Sequence, residues 1–393
     1  MSSRSVSAVR VVRRSAVVVG TAGMVVVLAA QPALARPPAA LPATTPGCRA
    51  NAVLHTLSLE KQLGQLFMVG TPATSASSTL LGQISTYHVG NVMLTGRSTA
   101  GVTATKSVTS ALQTRASSAG LPKLLVATDQ EGGNVQVLRG SGFSTMPTAV
   151  TQGTWSTTTL RSNATTWANQ LKSAGINMNL APVMDTVPSS SYDNPPIGNY
   201  DRNYGYSSSV VSAKGGAFLA GMRSVGVQTA AKHFPGLGMV HQNTDTTSVV
   251  RDTSIGKGNA YINPFSSAIA GHTDHVMMSS AYYNLIDRNN PAVFSNIVMT
   301  YLRSGLGFPG VIMTDDIGNA KAVQAWSPGT RAYRFIGNGG DLILTVNPSV
   351  LPAMYNAMLS QAHSNTFIKN RIWSSAYRVL LAKERIGLLG PAC

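Results

Sequence analysis

Gly307-Phe308-Pro309-Gly310-Val311-Ile312-Met313-Thr314-Asp315-Asp316 is a turn followed by a strand-length apolar run that stops on two carboxylates. Pro309 and Gly310 punctuate its start, and the β-branched Val311 and Ile312 favour extended backbone. Runs of the same kind recur on both sides of it, at Leu66–Gly70, Gly90–Leu94, Leu124–Asp129, Asn177–Val183, Val227–His233, His275–Ser280 and Leu342–Val346, which makes eight with Gly310–Asp315. Amphipathic stretches separate them, among them Leu160–Ala174, Ser208–Arg223, Ser295–Ser304 and Asn319–Ile336, and Ser364–Gly387 reads as a closing helix. Strands alternating with helices describe a parallel α/β protein. Eight units favour a closed (β/α)8 TIM-like barrel over an open sheet, as a single catalytic domain. A doubly wound nucleotide-binding fold would need a G-x-G-x-x-G after the first strand or a P-loop, and the sequence has neither.

Composition narrows the function classes. The 393 residues carry 30 Lys+Arg against 14 Asp+Glu, a net charge of +16, with 44% hydrophobic and only 11% charged residues. That excludes a disordered tail or a coiled coil. The basic residues are scattered, aromatics are few and no nucleic-acid module is present, so no nucleic-acid partner is expected. Residues 1–35 read as a signal peptide: Arg4, Arg10, Arg13 and Arg14 precede an apolar run to Ala30, and Ala33-Leu34-Ala35 offers a cleavage site. Residues 36–52 read as a Pro/Ala-rich linker and 53–393 as the barrel domain. The expected product is secreted or cell-wall associated, with no integral membrane span after processing, and its basic excess suits an anionic cell wall. In an oxidising compartment Cys48 and Cys393, the only two cysteines, are expected to pair and tie the ends of the domain together.

Chemistry in a parallel barrel gathers at the carboxyl ends of the strands. Here several strands end in ionisable groups: Asp129-Gln130-Glu131 after the third, Asp185 after the fourth, Lys232-His233 at the fifth and Asp315-Asp316 at the seventh. Asp is a good N-cap, so each carboxylate has helix capping as its plain alternative. Capping does not explain Lys232 and His233.

Lys232-His233-Phe234-Pro235-Gly236, Asp129-Gln130-Glu131-Gly132-Gly133, the run from Gly175 to Asp185, Asp201-Arg202-Asn203-Tyr204-Gly205 and the run from Gly307 to Asp316 occur in an order that resembles glycoside hydrolase family three, in particular its bacterial single-domain β-N-acetylhexosaminidase branch. The resemblance implies a retaining mechanism with Asp315 as nucleophile, and Asp129, Arg202, Lys232 and His233 binding the sugar. It implies a carbohydrate substrate and no metal or organic cofactor.

The chain departs from that branch in the loop after Gly236. An Asp-His pair is expected there, and Asn243 and Asp245 stand in its place; Asn134 stands where an Arg is expected and Ser280 where a His is expected. Three readings follow. Asp245 serves as a carboxylic acid/base, His241 on the same loop carries the proton, or the protein binds glycan without turning it over. Lys232 as a Schiff-base lysine is a further alternative, which leaves Asp315 and Arg202 without a role. His272-Thr273-Asp274-His275 crowds metal-ligand types together, but ahead of the sixth strand, on the face where barrel residues serve stability. The function expected is an exported retaining β-glycosidase, most simply a β-N-acetylhexosaminidase releasing terminal N-acetylglucosamine. A β-glucosidase-like exo-hydrolase and a catalytically silent glycan-binding protein are the alternatives.

Overall fold

The computed structural model describes residues 47–390 and 393. The expected signal peptide and the linker as far as residue 46 lie outside them. Eight parallel strands close into a barrel in sequence order: β1 Phe67–Pro72, β2 Asn91–Thr95, β3 Leu125–Thr128, β4 Met178–Asn179, β5 Gln228–Phe234, β6 His275–Met278, β7 Val311–Asp316 and β8 Leu342–Thr345, with β8 pairing back onto β1. Inward side chains, among them Met68, Met93, Leu125, Met178, Met277 and Met313, fill the barrel as a core separate from the apolar layer between barrel and helices. Unbranched thioether side chains suit that tapered interior because they adapt to irregular gaps.

Two expected elements are shorter than their sequences imply. The run Asn177–Val183 forms only the two-residue β4, with an isolated bridge from Val183 to Lys232. Pro182 has no N–H for a ladder. Asn179 also turns its amide onto the Gln130 backbone, accepting from its N–H at 3.0 Å and donating to its carbonyl at 3.0 Å. Asn319–Ile336 is not one helix: a short turn at Lys321–Val323 precedes a helix over Pro328–Gly337. Ser327 caps the latter through the Thr330 N–H, and Pro328 occupies its first turn, where its missing N–H does no harm.

Residues 48–52 are not linker, because they open the helix Cys48–Thr56. A partner distant in sequence makes this possible. The Glu384 carboxylate accepts from the N–H groups of Gly47 (3.3 Å) and Ala50 (2.7 Å), replacing the local cap that the sequence lacks. Glu384 lies on the closing helix Thr366–Arg385, whose Val379 and Ala382 plug the strand-start end of the barrel. A Cys48–Cys393 disulfide, with Cα atoms 6.0 Å apart, joins the same two ends across 345 positions. Reduction, or Cys48→Ser, is expected to lower unfolding stability by about 2–5 kcal/mol, read as a shift of the urea midpoint. An unchanged midpoint would show that the Glu384 contacts alone hold the ends.

None of the described helix N-caps is an aspartate. Side-chain caps come from Ser58, Ser77, Thr148, Ser156, Ser207, Ser295, Ser327 and Asn365, for example. The strand-end carboxylates are therefore free for other work. Among the described residues no helix is long and apolar enough to cross a membrane.

Candidate active site

The strand ends surround a cavity of about 270 Å³ lined by Asp129, Arg202, Lys232, His233, Asp245 and Asp315, together with Asp316 and Asn319. Its floor is apolar, made by barrel-interior side chains that include Met93, Leu180, Met277 and Leu344. Six of the seven residues singled out from the sequence thus line one space, although they come from five separate segments.

The cationic side of the cavity is held by a carboxylate to which the sequence reading gave no role. Glu131, almost fully buried, takes a two-pronged grip from Arg202: Nε donates to Oε2 at 2.9 Å and Nη2 to Oε1 at 2.8 Å. Lys232 Nζ lies 2.6 Å from Glu131 Oε1 and donates to Asp129 Oδ1 at 2.7 Å. Burial alone would raise the Glu131 carboxyl, but the Arg202 and Lys232 charges outweigh it and hold it well below the usual carboxylate range. Lys232 is shifted the other way. Its burial favours the neutral amine, and the Asp129 and Glu131 charges overcome that and raise it. A Schiff-base lysine needs the opposite shift, so this environment argues against that alternative. The signal for Glu131 was present in the sequence as a charge count: cations placed near the strand ends need anions, and few acidic residues are available.

Glu131→Gln keeps the shape and removes the charge between the buried Lys232 and the partly buried Arg202. Breaking a buried pair from one side costs about 3–5 kcal/mol. The expected result is a lowered urea midpoint together with a raised KM, because Arg202 and Lys232 lose their fixed positions. A folded variant with unchanged KM would remove Glu131 from the site's framework.

Asp185, fully buried, orients His233. Its Oδ2 lies 2.7 Å from His233 Nδ1, and its Oδ1 accepts from the N–H groups of His233 (3.1 Å) and Leu237 (2.8 Å). The proton thereby belongs on Nδ1. Nε2 is left facing Asp315, 3.9 Å from its Oδ2. At the end of β7, Asp315 Oδ1 accepts from the Asp316 N–H at 2.8 Å. Asp316 itself serves the turn, accepting from Gly318 (2.9 Å) and Val346 (3.0 Å).

Asp245 reaches the cavity from the loop after β5, which is anchored on both flanks. Asn194, buried, donates to the carbonyls of Leu237 (2.8 Å) and Val240 (2.7 Å). On the other flank the N–H groups of Lys321 and Ala322, just past β7, donate to the carbonyls of Asp245 (3.2 Å) and Thr244 (3.0 Å). The loop carrying Asp245 is thus tied to the segment that follows Asp315. Asp245 as a whole residue is exposed at the rim, yet its carboxyl lines the cavity among other charged groups. Burial first, and the Asp315 charge next, push it up to about 6.

His241 is placed elsewhere. It is exposed, lies against Tyr192 at a 34° tilt with ring centres 4.8 Å apart, and binds the Tyr192 hydroxyl (3.0 Å) and the Asp193 carbonyl (2.8 Å). It is not among the residues lining the cavity. Asn134 uses its carbonyl to accept from Arg97 at 2.7 Å, and Ser280 is buried behind the sixth strand. The His272–His275 run is dispersed: His272 is exposed, Asp274 faces Arg385 at 3.7 Å, and His275 is buried with its pKa lowered to about 3 by that burial. Among the described residues no group of three His, Cys, Asp or Glu is placed to hold a metal ion.

A polar cavity above an apolar floor, with cations and carboxylates converging at the strand ends of a (β/α)8 barrel, has the makings of a carbohydrate-processing site. The model of the glycosyl hydrolase family 3 N-terminal domain matches residues 58–382, and the chain belongs to that family and is a glycoside hydrolase. A solved β-N-acetylhexosaminidase from Beutenbergia cavernae is 47% identical, with a TM-score of 0.82 over 84% of this chain and 99% of that one. A family 3 β-N-acetylglucosaminidase from a Paenibacillus species is 27% identical, with a TM-score of 0.79 over 86% of this chain and 64% of that one. A β-hexosaminidase from Stenotrophomonas maltophilia is 29% identical over 67% of this chain and 79% of its own length.

Proposed function

We propose that this chain is an exported, retaining, exo-acting β-N-acetylhexosaminidase that releases terminal N-acetylglucosamine from cell-wall or chitin-derived glycans. The observation that carries the reading is that Asp315 and Asp245 face one cavity, with Asp245 held ready to carry a proton near neutral pH. In the first step an Asp315 oxygen bonds to the anomeric carbon, the glycosidic C–O bond breaks, and the Asp245 proton goes to the departing oxygen. In the second, Asp245 takes a proton from water as its oxygen bonds to the anomeric carbon and Asp315 leaves. Asp129, Arg202, Lys232 and His233 bind the hydroxyls of the sugar. The small size of the cavity, about 270 Å³, supports exo action, since it suits a terminal sugar better than a chain running through it. The named activity of the relatives supports the N-acetyl preference. The N-terminal signal-like segment and the disulfide support export.

The replacement of an Asp-His pair by Asn243 and Asp245 favours a second reading, a β-glucosidase-like hydrolase with two carboxylates, and one assay separates the two. Nitrophenyl β-N-acetylglucosaminide is expected to be hydrolysed with a much higher kcat/KM than nitrophenyl β-glucoside. The reverse order would select the second reading, and turnover of neither with sugar binding intact would select a glycan-binding protein.

A further inference from the structure

At the opposite end of the barrel from the catalytic cavity, three arginines converge on one carboxylate. Asp341, fully buried, immediately precedes β8 and accepts from the Ile312 N–H (3.0 Å) and the Ser375 hydroxyl (3.0 Å). Arg303 Nη2 donates to its Oδ2 at 2.6 Å, Arg378 Nη1 donates to its Oδ1 at 3.1 Å, and Arg371 Nη2 stands 3.8 Å from Oδ1. Arg303 comes from the helical stretch Tyr301–Gly305, whereas Arg371 and Arg378 lie two turns apart on Thr366–Arg385. The three line a surface pocket of about 130 Å³, whose other walls include Asn296, Thr300 and Ser304 and no acidic residue.

An ion pair built only for stability needs one guanidinium for one carboxylate. Here two positive charges remain in excess, and among the described residues no other carboxylate comes within 4.0 Å of these three side chains. All three are largely covered, with 18–28% of each side chain exposed, so water screens their mutual repulsion poorly. Burial first, and the neighbouring guanidinium charges after it, depress Arg303 and Arg371 despite Asp341. The arginines are also held in place by other acceptors. Arg303 Nη1 donates to the carbonyls of Phe308 (2.7 Å) and Gly310 (2.6 Å), and Arg371 donates to those of Ile336 (3.1 Å) and Gly340 (3.1 Å). Arg378 directs only Nη1 to acceptors among the described residues, which leaves its Nε–Nη2 edge free. That edge matches two oxygens of an oxyanion.

We propose that Arg303, Arg371 and Arg378 form a binding site for a phosphate group. A phosphate group offsets the excess positive charge, fully as the free dianion and in part as a polymer phosphodiester with one charge per phosphate, and its tetrahedral oxygens meet donors arriving from several directions, which a planar carboxylate does not. The pocket, of about 130 Å³, has room for one such group. Facing away from the catalytic cavity, the site can hold an anion without blocking a glycan. The phosphate comes either as the free ion or as part of a phosphate-bearing polymer.

The test uses the full-length protein at constant ionic strength. Inorganic phosphate is titrated while arginines are modified with phenylglyoxal and the modified peptides are mapped. Saturable protection of Arg378 is expected, with no protection of the exposed Arg288 as control. Arg378→Gln, checked for fold by its unchanged hydrolysis of a nitrophenyl glycoside, is expected to weaken phosphate binding about tenfold or more, the loss of a charge-assisted hydrogen bond. A glycerol-phosphate oligomer is titrated in parallel: protection of the same arginine by the oligomer assigns the site to polymer phosphate, and protection by the inorganic ion alone assigns it to the free ion. The protection experiment needs no variant, so it stands even if Arg378→Gln does not fold. Absence of protection by both probes, or equal protection of Arg288, overturns the proposal.

Discussion

Replacing Asp315 by alanine is expected to lower kcat/KM on nitrophenyl β-N-acetylglucosaminide by about 10⁴-fold or more, with the fold retained. Removal of a covalent nucleophile eliminates the whole low-barrier route, and what survives is positioning by the remaining residues. The framework that positions the sugar does not pass through this side chain. Glu131 holds Arg202 and Lys232, Asp185 holds His233, and Asp315 contributes only the bond to the Asp316 N–H. Sugar binding by Asp315→Ala should therefore stay within a few-fold of the parent. Asp316→Asn is the matching control. Its carboxylate ties Gly318 and Val346, so its loss should act on stability more than on the chemical step. A mechanism-based fluoro-sugar should label the parent on the peptide carrying Asp315 and leave Asp315→Ala unlabelled. Residual activity within tenfold of the parent, or label on another carboxylate, would remove Asp315 from the nucleophile's role.

The barrel could be read from the sequence because each strand is a short apolar run that stops at a turn or a charge, and both marks are local. The placement of Asp129, Lys232 and Asp315 at strand ends was legible for the same reason. What escaped depends on partners far apart in the chain. Glu131 meets Arg202 across 71 positions and Asp185 meets His233 across 48. In a one-dimensional reading Glu131 was simply the middle of a motif and Asp185 the end of a run. The helix over residues 48–56 was hidden likewise, because its cap comes from Glu384, 334 positions from Ala50. The loop after β5 shows the limit from the other side. His241 and Asp245 are four residues apart and both are ionisable residue types, yet one lies against Tyr192 outside the cavity and the other lines the cavity with Asp315. Anchoring by Asn194, by Tyr192 through the Met239 carbonyl and by the Lys321–Ala322 backbone, all distant in sequence, fixes which side chain turns inward.

That difference sets the expected behaviour of Asp245→Asn. A general acid matters in proportion to how poorly the leaving group departs unaided, and the usual contribution is about 10²–10⁴-fold. For alkyl or sugar leaving groups kcat/KM should fall by that range. For a dinitrophenyl glycoside, whose leaving group needs no proton, it should fall by less than about tenfold. The comparison must use kcat/KM, which reports the glycosylation step. Loss of the base in the second step slows release of the intermediate, so for dinitrophenyl substrates kcat and KM should fall together with a pre-steady-state burst. The pH dependence follows from the same group. Asp245 must be protonated to act as acid, and it is pushed up to about 6 by burial and by the Asp315 charge. For poor leaving groups the parent's kcat/KM should therefore be high below pH ~6 and decline as the pH rises through that value, a limb that Asp245→Asn abolishes. Asp315→Asn, which removes the neighbouring charge, should move the Asp245 titration downward, observable by NMR of the carboxyl group even though that variant does not turn over. His241→Ala should leave the limb in place, since that ring sits against Tyr192. Equal losses on activated and unactivated substrates would count against an acid role for Asp245, and a limb that persists in Asp245→Asn and disappears in His241→Ala would move the proton to the histidine.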